Sequence, residues 1–207
     1  MTDTLYRIAR YPAELIEQWS IADGTRLTLR PVLPQDATPL GEMIATMSAA
    51  SRRRRFHGAV NAANAGWLAR MTCIDYRQQM ALVVTCPDGE GESVVADARF
   101  VVDADDSAEF GIAVAEGWQR RGVGERAMRG LFHAAGRQGL RWLHGQVLHD
   151  NLPMLALTQR LGFETSERST QEGCLRVEAA VQQRASAPAL PWWRRLRRAS
   201  AARARAA

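Results

Sequence analysis

The chain has no lysine, so all 27 of its basic residues are arginine. A high-GC codon bias accounts for that. Cysteine is nearly as scarce: Cys73, Cys86 and Cys174 are an odd number without C-x-x-C spacing. Free thiols in a reduced, cytoplasmic setting fit this pattern better than a disulfide framework or a zinc site. The four histidines lack metal-ligand spacing, and His144 and His149 fall on opposite faces of an expected strand, so no metal is expected. No apolar run approaches the roughly 18 residues of a membrane span, and the polar start does not read as a signal peptide. Acids are absent from residue 183 onward, where seven arginines lie, while residues 1–182 hold 20 arginines against 22 acids. The net charge of +5 therefore belongs to the end of the chain, and the body is at −2. That balance argues against a nucleic-acid-binding body.

With 207 residues, 46% hydrophobic and 24% charged, the chain suits one globular domain. The expected organisation is a leader with a short helix at 1–22, a domain at 23–182 and a flexible basic tail at 183–207. The segment 25–30, "TRLTLR", alternates as a half-buried strand should, and Pro31 and Pro34 stop it. From Asp36 the spacing of Leu40, Met43, Ile44 and Met47 is helical. "SRRRRFHG" at 51–58 reads as a basic connection and 62–71 as a second helix. Segments 80–85 and 93–102 predict a hairpin, 108–114 a third strand, and 122–138 an amphipathic helix stopped at Gly139. A strand at 140–148 follows. Asn151 is placed to cap a short helix with Pro153 in its first turn, and strands at 163–169 and 173–181 close the pattern. The order is that of an α/β domain on a mixed sheet.

The stretch "FGIAVAEGWQRRGVGERAM" at 110–128 carries the strongest functional signal. Gly122, Gly124 and Ala127 satisfy G-x-G-x-x-A, yet seven residues separate Val114 from Gly122, whereas a dinucleotide fold runs its strand straight into the first glycine. A pyrophosphate cradle fits better. Glycines let backbone N–H groups approach phosphate oxygens, and the helix that begins there adds about half a positive charge of dipole. Taken alone, an ordinary strand-to-helix turn with a solvated basic surface is as good a reading.

Gln119-Arg120-Arg121-Gly122-Val123-Gly124 resembles the Q/R-x-x-G-x-G/A motif of the GNAT family, the acetyl-CoA-dependent N-acetyltransferases. The later helix from Asn151 to Leu161-Gly162-Phe163 is similar to theirs, and the likeness covers about residues 25–181. The resemblance implies a GNAT fold: a mixed, mostly antiparallel sheet, splayed at its centre and flanked by helices. It also implies that Ile112, Ala113 and Val114 offer backbone groups to the pantetheine arm, that Gln119 to Gly124 hold the pyrophosphate, and that Asn151 meets the arm. An unpaired strand edge suits such pairing, because the arm behaves like an added strand.

Glu109 is the one charge in "SAEFGIAV", on a face shared with Gly111 and Ala113. Were it buried there, desolvation would raise its pKa and suit it to take a proton from an amine. Periodicity alone favours a solvent-facing residue at the start of the strand. "TLRPVLPQDATPL" with "SRRRRFHG" resembles the bacterial protein lysine acetyltransferases within GNAT, and that likeness implies Glu109 as general base. Thr158 stands where many GNAT enzymes carry a tyrosine acid. Asp97 is a candidate to assist the base, although a solvent-facing strand position is the simpler reading, and a solvated connector is the default for Arg52 to Arg55. Cys73 and Cys86 read as buried small hydrophobes.

The expected activity is acetyl transfer from acetyl-CoA to a primary amine, with a protein lysine favoured by resemblance. A non-catalytic acetyl-CoA sensor or a small-amine (polyamine or antibiotic) acetyltransferase are the alternatives. Trp192 and Trp193 beside Arg194, Arg195, Arg197 and Arg198 could sit on an anionic membrane surface or stack on nucleic acid. A solubilising end is the plainer reading.

Overall fold

A computed structural model describes residues 11–58, 61, 62, 64–103, 106–166 and 173–181. The expected tail and most of the expected leader helix lie outside the described residues.

Eight strands form one sheet: β1 (Glu17–Ser20), β2 (Arg26–Pro31), β3 (Gln79–Asp88), β4 (Gly91–Val102), β5 (Ser107–Val114), β6 (Trp142–Leu148), β7 (Glu164–Ser166) and β8 (Cys174–Ala180). Their order is β1-β2-β3-β4-β5-β6-β8-β7. Every neighbouring pair is antiparallel except β5 with β6, which run parallel. The helices are α1 (Ala37–Thr46), α2 (Ala49–Phe56), α3 (Ala65–Thr72), α4 (Val123–Gln138) and α5 (Leu152–Arg160). The expected mixed α/β fold with a mostly antiparallel sheet is therefore present.

Two elements differ from expectation. β1 pairs with β2 from Glu17 to Ser20, inside the stretch assigned to a leader, where among the described residues a single 3-10 turn at Ala13–Leu15 is helical. Its four residues are mostly exposed, so it carries little apolar alternation to betray a strand. The basic connection is the helix α2, capped by Ser48, whose hydroxyl accepts from the Ser51 N–H at 3.1 Å. It ends at His57 in the left-handed region, φ 53°.

The core lies between the sheet and its two helical layers. α4 buries Val123, Ala127, Met128, Leu131, Ala134 and Ala135 against the strands, the stripe a 3.6-residue period requires. It ends as expected at Gly139, φ 79°, whose N–H bonds the carbonyls of Ala135 and Gly136. On the other face α1 buries Leu40, Met43 and Ile44. At the head of α1, Asp36 is 2% exposed and receives Arg30 through two bonds of 2.8 Å and the Leu33 N–H at 2.7 Å. This bidentate pair ties β2 to the loop that launches α1. Removing one partner of a buried pair strands the other charge. Asp36→Ala is expected to lower stability by about 3–5 kcal/mol, read from urea unfolding midpoints.

Candidate active site

β5 and β6 are in register only at Ser107↔Trp142, Ala108↔Leu143 and Glu109↔His144. Beyond that rung the strands part, although β5 continues to Val114 and β6 to Leu148. The next position explains why. A Cβ on Gly145 would come within 2.8–3.1 Å of the Phe110 ring, so the ring occupies the space a side chain would fill. Phe110 also meets Phe163 at 5.1 Å between centroids, and Phe163 meets Phe132 of α4 at 5.3 Å. Edge-on contacts of this kind add about 0.5–1.5 kcal/mol each beyond area burial. The aromatic cluster acts as a wedge under the parting.

On the opposite face the parting opens into a cavity of about 330 Å³. Glu109, Gly111 and Gln146 lie on its strands, the end of α2 (Arg54 to His57) on one wall, and Asn151 and Met154 of α5 on another. Glu109 is exposed. The burial expected for it is therefore absent, because Glu109 stands at the rim of the opening and not beneath it. Two rungs along the same face, the Arg55 guanidinium rests on Gly111, where a Cβ would lie 2.7 Å from Cζ.

Asp97 organises this region. It is 1% exposed, not facing solvent, and takes Arg99 through bonds of 3.0 and 2.5 Å, with Arg55 at 3.7 Å. Arg99 also donates to the Met71 carbonyl at 3.1 Å. Burial pushes the pKa of the Arg55 guanidinium down, and Asp97, with a smaller contribution from Glu109, opposes the shift. Arg55 is thus a largely buried part of the cavity wall, with 15% of its side chain exposed, not a solvated connector. Among the described residues its Nε has no hydrogen-bond partner.

The glycine loop sits at the end of β5. Arg120 (φ 58°) and Gly122 (φ 81°) are both left-handed, and no side chain caps α4. The first N–H groups of a helix have no partners within it, so this end presents free donors and the positive pole of the dipole. Val123 is fully buried and anchors the turn. A Cβ on Gly124 would find only ordinary contacts, 3.5 Å to Val114 and 3.6 Å to Leu157. The fold itself does not require that glycine. The two arginines behave differently: Arg120 is exposed, while Arg121 pairs with Asp23 and lies 4.9 Å from the Trp118 ring. Gln119 turns back to donate to the Val114 carbonyl at 3.0 Å.

Glu109, Ile112 and Asn151 thus meet at one cavity, while Ala113 is buried, Val114 half-buried, and the 119–124 loop stands beyond the cavity. Asn151 caps α5 by accepting from the Met154 N–H at 3.4 Å. Thr158 is 2% exposed and donates to the Leu155 carbonyl, so its hydroxyl serves its own helix. Arg99 and Gln146 were missed. Their signal was strand alternation, two residues after Asp97 and His144. Cys73 is exposed, contrary to expectation, because it falls at the end of α3. Among the described residues no cluster of metal-ligating side chains occurs, and no helix is long and apolar enough to cross a membrane.

A mixed sheet that parts beyond the one parallel strand pair among the described residues is the frame of an acyltransferase that works on amines. The chain matches the acetyltransferase (GNAT) domain over residues 26–164 and belongs to that family of N-acetyltransferases, which use acetyl-CoA. It is 30% identical over 145 residues to acetyltransferase PA5475 of Pseudomonas aeruginosa, covering 70% of this chain and 78% of that protein. To acetyltransferase Pat of Mycolicibacterium smegmatis it is 32% identical over 167 residues, covering 78% of this chain and 49% of that protein. It thus spans about half the length of that relative. The GNAT domain of S. lividans PAT shares the fold, with a TM-score of 0.75 and 24% identity over 83% of this chain and 99% of that one.

The two loop glycines make separable predictions. Gly124→Ala is expected to keep the unfolding midpoint within the equivalent of about 0.5 kcal/mol and to weaken coenzyme binding by calorimetry. Gly122→Ala is expected to lose about 1–2 kcal/mol of stability as well.

Proposed function

We propose that the chain transfers an acetyl group from acetyl-CoA to a primary amine, a protein lysine in preference to a small amine, with Glu109 as general base. The observation that carries this reading is the position of Glu109: the last rung before the strands part, at the rim of the cavity beside Ile112 and Asn151. The free N–H groups from Gly122 onward suit a pyrophosphate, and the backbone of 112–114 beside the parted edge suits the amides of the pantetheine arm. Asn151 stands where the arm would pass. The coenzyme supplies an acetyl thioester.

Glu109 acts by removing a proton from the incoming ammonium, directly or through water, since only a neutral amine is nucleophilic. Its exposure lets the acceptor reach it from solvent. The lysine preference rests on the likeness to bacterial protein lysine acetyltransferases and on the relative Pat. With no lysine in the chain, its own side chains cannot compete as acceptors.

Glu109→Gln is expected to lower kcat/KM on a lysine peptide by about 10²–10⁴-fold and to leave acetyl-CoA affinity within about twofold, since the base deprotonates the amine and does not hold the coenzyme. Equal rates for the two proteins would overturn the assignment.

A further inference from the structure

His144 is the rung partner of Glu109 across the last paired position of the parting. The imidazole is nine-tenths buried, with 7% of its side chain exposed. Its Nε2 lies 2.7 Å from Asp103 Oδ2, and the other Asp103 oxygen accepts from the Ser107 hydroxyl. An ionised carboxylate only accepts, so Nε2 carries a hydrogen, and whenever the ring holds a single hydrogen its lone pair lies on Nδ1. That Nδ1 is buried and has no hydrogen-bond partner among the described residues. Asp103 is 44% exposed and connects the far side of the ring to water.

The groups facing the ring are few. Glu109 of β5 stands on one side and Glu178 of β8 on the other, each in register with it. Arg176 of β8 lies two rungs along, opposite Gln146, and pairs with Glu178 at 3.5 Å. Gln146, two residues along β6, also lines the cavity and has a buried Oε1 without a partner among the described residues. Adjacent strands run about 4.8 Å apart, which makes Glu109 and His144 neighbours across their shared rung.

We propose that His144, oriented by Asp103, is the second proton-carrying group of the reaction and relays protons between Glu109 and solvent. The proposal rests on the acetyltransferase reading above. Amide formation from an ammonium removes two protons from nitrogen. The C–N bond forms, the C–S bond breaks, one proton ends on the departing thiolate and the other in solvent. Glu109 can hold one proton at a time and must discharge it before the next turnover. With acceptor and coenzyme filling the cavity mouth, the unpartnered Nδ1 receives that proton from Glu109 across their shared rung. The imidazolium releases a proton to bulk water on the Asp103 side, and the ring returns to its neutral form. Thr158 cannot share this task, since its hydroxyl is bonded within α5.

His144→Gln retains an N–H for Asp103 and removes the proton-carrying ring. It is expected to lower kcat by about 10–100-fold, to leave acetyl-CoA affinity within about twofold, and to displace the limbs of the kcat/KM profile against pH by half a unit or more. Asp103→Asn, which donates to Nε2 and so moves the ring hydrogen to Nδ1, is expected to produce a similar loss. Nitrogen NMR of the full chain gives a readout besides activity. A bare Nδ1 in the wild type and a protonated one in Asp103→Asn support the relay; a wild-type ring with its hydrogen on Nδ1 overturns it. A His144→Gln protein with wild-type kcat and pH profile, beside an impaired Glu109→Gln, overturns the relay alone. A wild type that turns over no amine, or a fully active Glu109→Gln, overturns the acetyltransferase reading of the site and the relay with it.

Discussion

The structure depends on one interruption of hydrogen bonding. β5 and β6 share three rungs and then separate, leaving backbone groups of both strands without each other. Unpaired main-chain groups are costly when dry, so a sheet does not open in its middle unless something holds it open. Here the Phe110 ring does so, lodged over Gly145 and backed by Phe163 and Phe132. The hydrophobic side of the sheet thus props apart its polar side. Every residue assigned a chemical role stands at or beyond that fork, and the eight strands with their helices serve to hold it still.

Charge is distributed around the fork with equal economy. Asp97 is buried beneath two guanidiniums, so the wall made by Arg55 and Arg99 is neutralised from below and stays in place. Glu109, by contrast, is left exposed and lightly constrained, as suits a group that must meet a substrate. The locked network thus holds the wall, and the carboxylate at the rim is left open to solvent.

Much of this was legible in the sequence. The helix start at Gly122, the stop at Gly139 and the cap at Asn151 follow from backbone requirements that few residues satisfy, so they could be read residue by residue. What escaped depended on tertiary neighbours. β1 is short and exposed and gains its identity from β2 alone. A run of four arginines conceals a helix because Arg54 and Arg55 line the cavity while Arg53 is exposed, and nothing local tells which. Glu109 and Asp97 sit on adjacent strands with matching alternation, yet one is open and the other sealed. The difference comes from Arg55 and Arg99, which cover Asp97, while Glu109 stands at the cavity rim.

The seating of Arg55 on Gly111 has an evolutionary corollary. The guanidinium and any side chain at 111 claim the same volume, so neither position can drift independently. Among diverging descendants of this chain, an alanine or larger residue at 111 should appear only where 55 has shortened. Asp97, deprived of one counterion, should then be replaced in the same lineages, making these three sites a unit of inheritance although they lie on three separate segments.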